Sequence, residues 1–206
     1  SFNVSSVGSN TQIWKIDSTA PNLLAPLNAK LVDGHTIEIY FNEKLTGINN
    51  DAATIASRIK VEVAGYSLDV NNLTITDFTS SGVNGSKVTF TTTKEITSGL
   101  LAKVSYVDAA GDQSTGVLQD IAGNDVATNT SKLWTLQNNS TVTAVGDNAS
   151  IRVMAGGLLG SASADILTHT LAGEFLTGGA GNDTVNITSS GNSSQWYIAA
   201  YNPSSP

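Results

Sequence analysis

Three acidic residues recur at nine-residue intervals near the C-terminus: Asp165, Glu174 and Asp183. Two positions beyond each stands an aliphatic residue, Leu167, Leu176 or Val185. The third unit runs Gly178-Gly179-Ala180-Gly181-Asn182-Asp183-Thr184-Val185-Asn186, so its acid follows a glycine-rich turn. Calcium takes roughly six to eight hard oxygens from carboxylates and carbonyls in a forgiving geometry. A glycine-rich turn can aim backbone carbonyls inward while an acid supplies charge. Asp165 and Asp183, with the carbonyls of Gly178 and Ala180, are therefore candidate calcium ligands.

A second acidic group spans residues 108–125 and comprises Asp108, Asp112, Asp120 and Asp125, with Asn124 beside them. No Lys or Arg falls between Val104 and Ser131. Like charges on adjacent loops repel unless they are solvated or bridged. Two readings stay open: a bridging cation, or an ordinary solvated acidic face.

Other chemistry has little to stand on. A hydrolytic triad would need His35 or His169, and neither has a nucleophile motif nearby. Glu38 and Glu43 could pair as glycosidase acids, but they lie on a strand and its exit. The expectation is a chain that is not an enzyme. Trp14, Trp134 and Trp196 could form a sugar-binding platform or belong to a core. Triplets such as Asn72-Leu73-Thr74 follow from an Asn- and Thr-rich composition.

The 206 residues suffice for one large or two small domains. Apolar residues make up 40%, enough for a core, while only 13% are charged, which disfavours long surface helices. The formal charge of −7 argues against nucleic acid as a partner. No apolar run is long enough to span a membrane. With no cysteine there is no disulfide framework, and bound metal could supply that stabilisation instead. The chain starts at Ser1 without methionine, so a mature product or a cut fragment is expected.

These residues must be positioned by strands. Thr36 to Phe41 alternates apolar and polar, and Ile59 to Val63, Leu73 to Phe78, Lys87 to Thr92 and Ala102 to Val107 behave alike. Asp33-Gly34 and Asn84-Gly85 read as hairpin turns. Residues 47–58 suggest a short helical turn. Residues 137–159 read as a transition, and Gln195 to Tyr201 as a closing strand. Asn10-Thr11-Gln12-Ile13-Trp14-Lys15-Ile16 is nearly repeated by Asn129 to Leu136, so residues 1–16 read as a strand of a preceding or neighbouring repeat.

Residues 17–136 resemble a bacterial Ig-like repeat of cyanobacterial swimming-motility surface proteins and large secreted adhesins. The resemblance is carried by Asp17-Ser18-Thr19-Ala20-Pro21, Val32 to Ile39, Phe41-Asn42-Glu43-Lys44-Leu45, Val104-Ser105-Tyr106, Leu118 to Asn124, and Val126. Residues 160–186 resemble calcium-binding RTX repeats. Only the last unit fits well, because His169 and Thr170 stand where the middle unit should have glycines. In such a β-roll two nonapeptides make one coil, so stacked turns lie 18 residues apart. Asp165 and Asp183 should then share one edge, with Glu174 alone on the other. Resemblance to inter-repeat calcium sites also implies that Asp17 joins Asp108, Asp112, Asp120 and Asn124 at the domain end.

The expected fold is all-β: an Ig-like antiparallel sandwich over 17–136, then a β-rich C-terminal region over 137–206 with nonapeptides at 160–186. The expected role is a calcium-stabilised structural module of a secreted or cell-surface protein. It would act in spacing and self-assembly in an adhesin, surface layer or filament. Residues 1–16 would mediate self-association. The alternative is a carbohydrate-binding accessory module with a surface or matrix polysaccharide as partner.

Overall fold

Strand and turn propensities resolve, in the computed structural model, into sixteen strands and one helix among the described residues. The structure describes residues 17–46, 51–143, 150–171 and 174–187, and the backbone of 197–199. The N-terminal strand expected over 1–16, with Trp14, and the indole of Trp196 lie outside these residues.

The first part contains β1 (Ala29–Leu31), β2 (Thr36–Tyr40), α1 (Ala52–Ser57), β3 (Ile59–Val63), β4 (Tyr66–Leu68), β5 (Val70–Ser80), β6 (Val83–Thr92), β7 (Glu95–Ile96), β8 (Ala102–Tyr106), β9 (Trp134–Thr135) and β10 (Gln137–Asn138). One sheet has the order β10-β1-β2-β6-β5, and a facing sheet β4-β3-β8-β9. All pairs are antiparallel except β1 with β10. Alternation decides which side chains face inward. Ile37 and Ile39 of β2, Val61 of β3, Val88 and Phe90 of β6 and Val104 of β8 are fully buried. Trp134 of β9 meets Phe41 edge-on, ring centroids 5.9 Å apart. The helix, where 47–58 suggested one, buries Ile55 and Ala56.

One turn differs from expectation. The β5–β6 hairpin reverses at Ser81-Gly82, both at positive φ, while Asn84 and Gly85 lie within β6. Gly85 is needed for space: a β-carbon there would overlap the Phe41 carbonyl oxygen. A glycine read as a turn signal thus serves a close backbone approach.

The second part contains β11 (Arg152–Met154), β12 (Gly157–Leu159), β13 (Ile166–Thr168), β14 (Phe175–Thr177), β15 (Thr184–Asn186) and β16 (Tyr197–Ala199). After the β11–β12 hairpin the chain winds as a parallel roll. β12, β14 and β16 stack on one face and β13 and β15 on the other. Leu158 pairs with Leu176, and Leu167 with Val185, each pair 18 residues apart. Leu158, Leu167 and Leu176 are buried between the two faces.

The roll is joined to the sandwich through β7, which pairs in parallel with β11. Ile96 and Val153 at this seam are fully buried. Sandwich and roll residues form one continuous apolar cluster. The fold is therefore an all-β sandwich carrying a short parallel roll.

Candidate metal sites

Each roll acid meets a turn of its own coil. The Asp165 carboxylate accepts the backbone N–H of Ser161 at 2.5 Å and its hydroxyl at 2.9 Å. Asp183 accepts the backbone N–H of Asp165 at 3.1 Å, so these two acids share an edge. A β-carbon on Gly160 would crowd the Asp165 carboxylate, and one on Gly178 would overlap that of Asp183. The glycines leave room for each acid to fold over its turn. The Gly178 carbonyl lies against Gly160 of the stacked coil, and the Ala180 N–H donates to the Ser161 carbonyl at 3.2 Å.

Glu174 stands apart from them. It is 5% exposed and accepts the N–H of Thr170 at 2.5 Å. It also accepts the hydroxyl of Tyr66 from β4 of the sandwich. His169 Nε2 lies 3.9 Å from it. Burial and the adjoining carboxylate raise the pKa of Tyr66. Leu171 closes over Gly65 of the β3–β4 turn, where a β-carbon would crowd it. This edge of the roll is its docking face on the sandwich, so His169 and Thr170 replace glycines where the unit meets another surface.

The acids of 108–125 divide between two neighbouring places. At one end of the sandwich, carboxylate oxygens of Asp17, Glu43 and Asp120 all lie within 4.8 Å of one another. Asp120 is 3% exposed and is held by two bonds from Asn124, N–H to Oδ1 at 2.9 Å and Nδ2 to Oδ2 at 2.8 Å. Asn124 Nδ2 also approaches the Asp17 carbonyl at 3.4 Å, drawing the incoming chain to this turn. Leu45 bridges to Asp120, and Thr46 N–H donates to the Gln119 carbonyl at 2.9 Å, which brings the segment after Glu43 alongside. Burial raises the pKa of Glu43, and the charges of Asp120 and Asp17 add to it. Three carboxylates at this separation favour either protonation or a cation.

Asp108, Asp112 and Asp125 gather beside this group. Burial raises the pKa of Asp125, followed by the charges of Asp108, Asp112 and Asp120. A surface cleft of about 350 Å³ runs along Asp112, Gln113 and Asp120.

Of the nine candidate ligands, the structure thus joins Asp17 to Asp120 and Asn124, and Asp165 to Asp183, and sets Asp108 and Asp112 within electrostatic reach of Asp125. Glu43 is the ligand candidate that the sequence reading missed. On sequence alone its candidate chemistry is a glycosidase pair with Glu38. Glu38 instead bonds Lys87 at 2.6 Å and Tyr40 at 2.5 Å. No local signal ties Glu43 to Asp120, because a tertiary bridge makes that contact. Trp134 belongs to the core on Phe41, which removes one of the three platform candidates.

No family model matches the chain and no curated protein matches it. Among solved structures, the N-terminal part of the bacterial S-layer protein SbsC is similar, with a TM-score of 0.40 and 14% identity. The match covers 63% of this chain and 26% of that one, so the chain spans about a quarter of its length. A likeness this distant carries no argument about function. No helix among the described residues is long and apolar enough to cross a membrane.

Proposed function

We propose that this chain is a structural module of a secreted or cell-surface protein, braced by calcium at the end of its sandwich. The observation that supports the reading is the convergence of Asp17, Glu43 and Asp120 within 4.8 Å. Asp17 leads in from residues 1–16, Glu43 follows β2, and Asp120 lies on the turn after β8. An ion shared by the three ties the incoming chain to the sandwich end and stiffens the joint with whatever precedes it. An all-carboxylate set suits calcium rather than a softer metal. Residues 1–16, with their near copy of the β9 segment, supply a strand for a neighbouring sandwich and make the module self-associating. A spacing and assembly role in an adhesin, surface layer or filament follows.

Thermal melts of the intact chain in millimolar calcium and in chelator test the brace. A ligand at 100-fold saturation that binds only the folded state adds about 2.7 kcal/mol. The expected result is a clear upward shift in calcium that Asp120→Asn reduces. Coincident melts for the parent chain would refute the brace. Light scattering of the same samples, with and without residues 1–16, tests assembly; equal particle sizes would refute the donated strand.

A further inference from the structure

We infer that the outer edge of β5, with the cleft between β5 and α1, is the acceptor for the strand that residues 10–16 of a neighbouring copy donate. The inference rests on the donated-strand reading above and adds where that strand lands. Two observations carry it: an unpaired edge, and a cleft beside it.

β5 is the longest strand described and ends its sheet, pairing only with β6 among the described residues. The Ser86 carbonyl accepts the Phe41 N–H at 2.9 Å, and the Ser86 N–H donates to the Glu43 carbonyl at 3.1 Å. Both groups of Ser86 therefore turn away from β5. Facing residues of an antiparallel pair alternate between exchanging both backbone bonds and exchanging none. Asp77 faces Ser86, Ile75 faces Val88 and Thr79 faces Asn84. All three thus turn N–H and C=O outward, an open row of donors and acceptors. Residues 70–80 hold neither Lys nor Pro, which guard many edges, and their one charge, Asp77, is taken up by Lys44 at 2.5 Å. The cleft, about 670 Å³, lies between α1 and the start of β5 and is lined in part by Ala52, Ala53, Val70 and Leu73. No residue of β6 lines it, so it opens on the unpaired side. A strand added to an edge takes affinity from main-chain bonds and specificity from pockets for alternate side chains.

The other edges suit such a strand less. β9 already fills the slot on β8 that a near copy of it would match, with Trp134 opposite Val104. β4 has three residues and its Tyr66 bonds Glu174 of the roll, while β10 has two residues. As a donated strand, residues 10–16 set Gln12, Trp14 and Ile16 to one side and Ile13 and Lys15 to the other. Trp14 is the largest apolar group of the segment, and the cleft is of the size that takes such a ring. Charge favours the meeting. The chain carries −7 and residues 1–16 carry only Lys15, which leaves −8 on the remainder. Residues 22–24 bond Tyr40 and Asn42 on the side of β2 away from β6. A strand ending at Ile16 is separated from its own β5 by β2 and β6, so the edge it meets belongs to another copy. Such a contact is head-to-tail and repeats from copy to copy.

The test measures association of the full chain by sedimentation velocity, alongside a chain lacking residues 1–16 and the variants Ile75→Pro, Ala53→Trp and Trp14→Ala. Pro at 75 removes an outward N–H and spares the β6 ladder, and Trp at the exposed Ala53 fills the cleft from its rim. Each variant is expected to weaken association by roughly tenfold or more. An equimolar mixture of Ile75→Pro and Trp14→Ala should form one-to-one pairs and nothing larger, because one chain keeps the donor and the other the acceptor. A mixture without pairs would overturn the inference. If Ile75→Pro does not fold, Ala53→Trp decides. Normal assembly of the acceptor variants, with assembly lost on removing residues 1–16, would overturn the β5 acceptor and leave the donated strand standing. Equal assembly with and without residues 1–16 would remove the donated strand itself. A loss in Ile75→Pro without one in Trp14→Ala would put β5 of a second copy on this edge and would also overturn the inference.

Discussion

The acids of the roll and the acids of the sandwich end are alike in sign, yet the protein treats them differently. In the roll, Asp165 and Glu174 accept backbone N–H groups four residues earlier, and Asp183 accepts one from the stacked coil. At the sandwich end, carboxylates crowd one another and two of their oxygens have no donor. The regular spacing of the first set reports a repeating backbone turn that an acid can cap. The irregular spacing of the second reports loops from distant parts of the chain meeting at one place. A nine-residue period is evidence of a coil. Buried acceptors without a donor in the chain are met from outside it, by water or by an ion.

The contrast breaks most readily at the stack inside the roll. Leu167→Ala removes a side chain that is 1% exposed, in the apolar cluster shared with the sandwich. The expected loss is about 2–5 kcal/mol. Denaturant unfolding should give the same loss in calcium and in chelator, because the aliphatic layer, not an ion, holds the coils together. A loss confined to chelator would place an ion at the centre of the roll's stability.

A smaller effect is expected at the docked edge. Glu174→Gln weakens the bond from Tyr66 and turns a donor toward the Thr170 N–H. An expected cost of about 1–3 kcal/mol follows from unsatisfied buried groups. Tyr66→Phe in the same background should add little, since the two residues share one contact. Fully additive losses in a double-mutant cycle would show that Glu174 and Tyr66 are not coupled.

The smallest effect is a pH dependence of opposite sign with and without calcium. The folded-state pKa values of Glu43 and Asp125 lie above their ordinary values of 4.5 and 3.8. A raised folded pKa contributes stability below the unfolded value and loses it as pH rises through the folded value. In chelator, these two groups should therefore favour folding as pH falls toward those ordinary values, offsetting part of the usual acid destabilisation. In calcium, protons compete with the ion, so the calcium-dependent part of stability should shrink over the same window. Melts across that window in both buffers check the prediction. Parallel curves would show that neither carboxylate group titrates against a cation.

Much of the fold was legible in the chain because its signals are local. Alternation marked β2 and β3 to within a residue or two. The aliphatic residues two places after each acid marked the strands that stack at 18-residue spacing. The turn of the β5–β6 hairpin was misplaced, because glycine answers two demands that sequence cannot tell apart. Ser81-Gly82 needs a backbone conformation, and Gly85 needs room for the Phe41 carbonyl.

The sites were legible in composition but not in grouping. Charge and the absence of Lys and Arg between Val104 and Ser131 mark Asp108, Asp112, Asp120 and Asp125, with Asn124, as one cluster, and Asp17 joins it only through the family resemblance. Their division into two places, and the presence of Glu43, depend on where loops cross. The sequence by itself determined the period-two strands, the nine-residue turns and an acidic stretch without counter-charges, because each is written into neighbouring residues. Tertiary structure decided which acid is capped by its own turn, which is buried against Tyr66 108 residues away, and which oxygens are left unmet. The reason is physical: a carboxylate's partners and solvation are set by what the fold brings next to it.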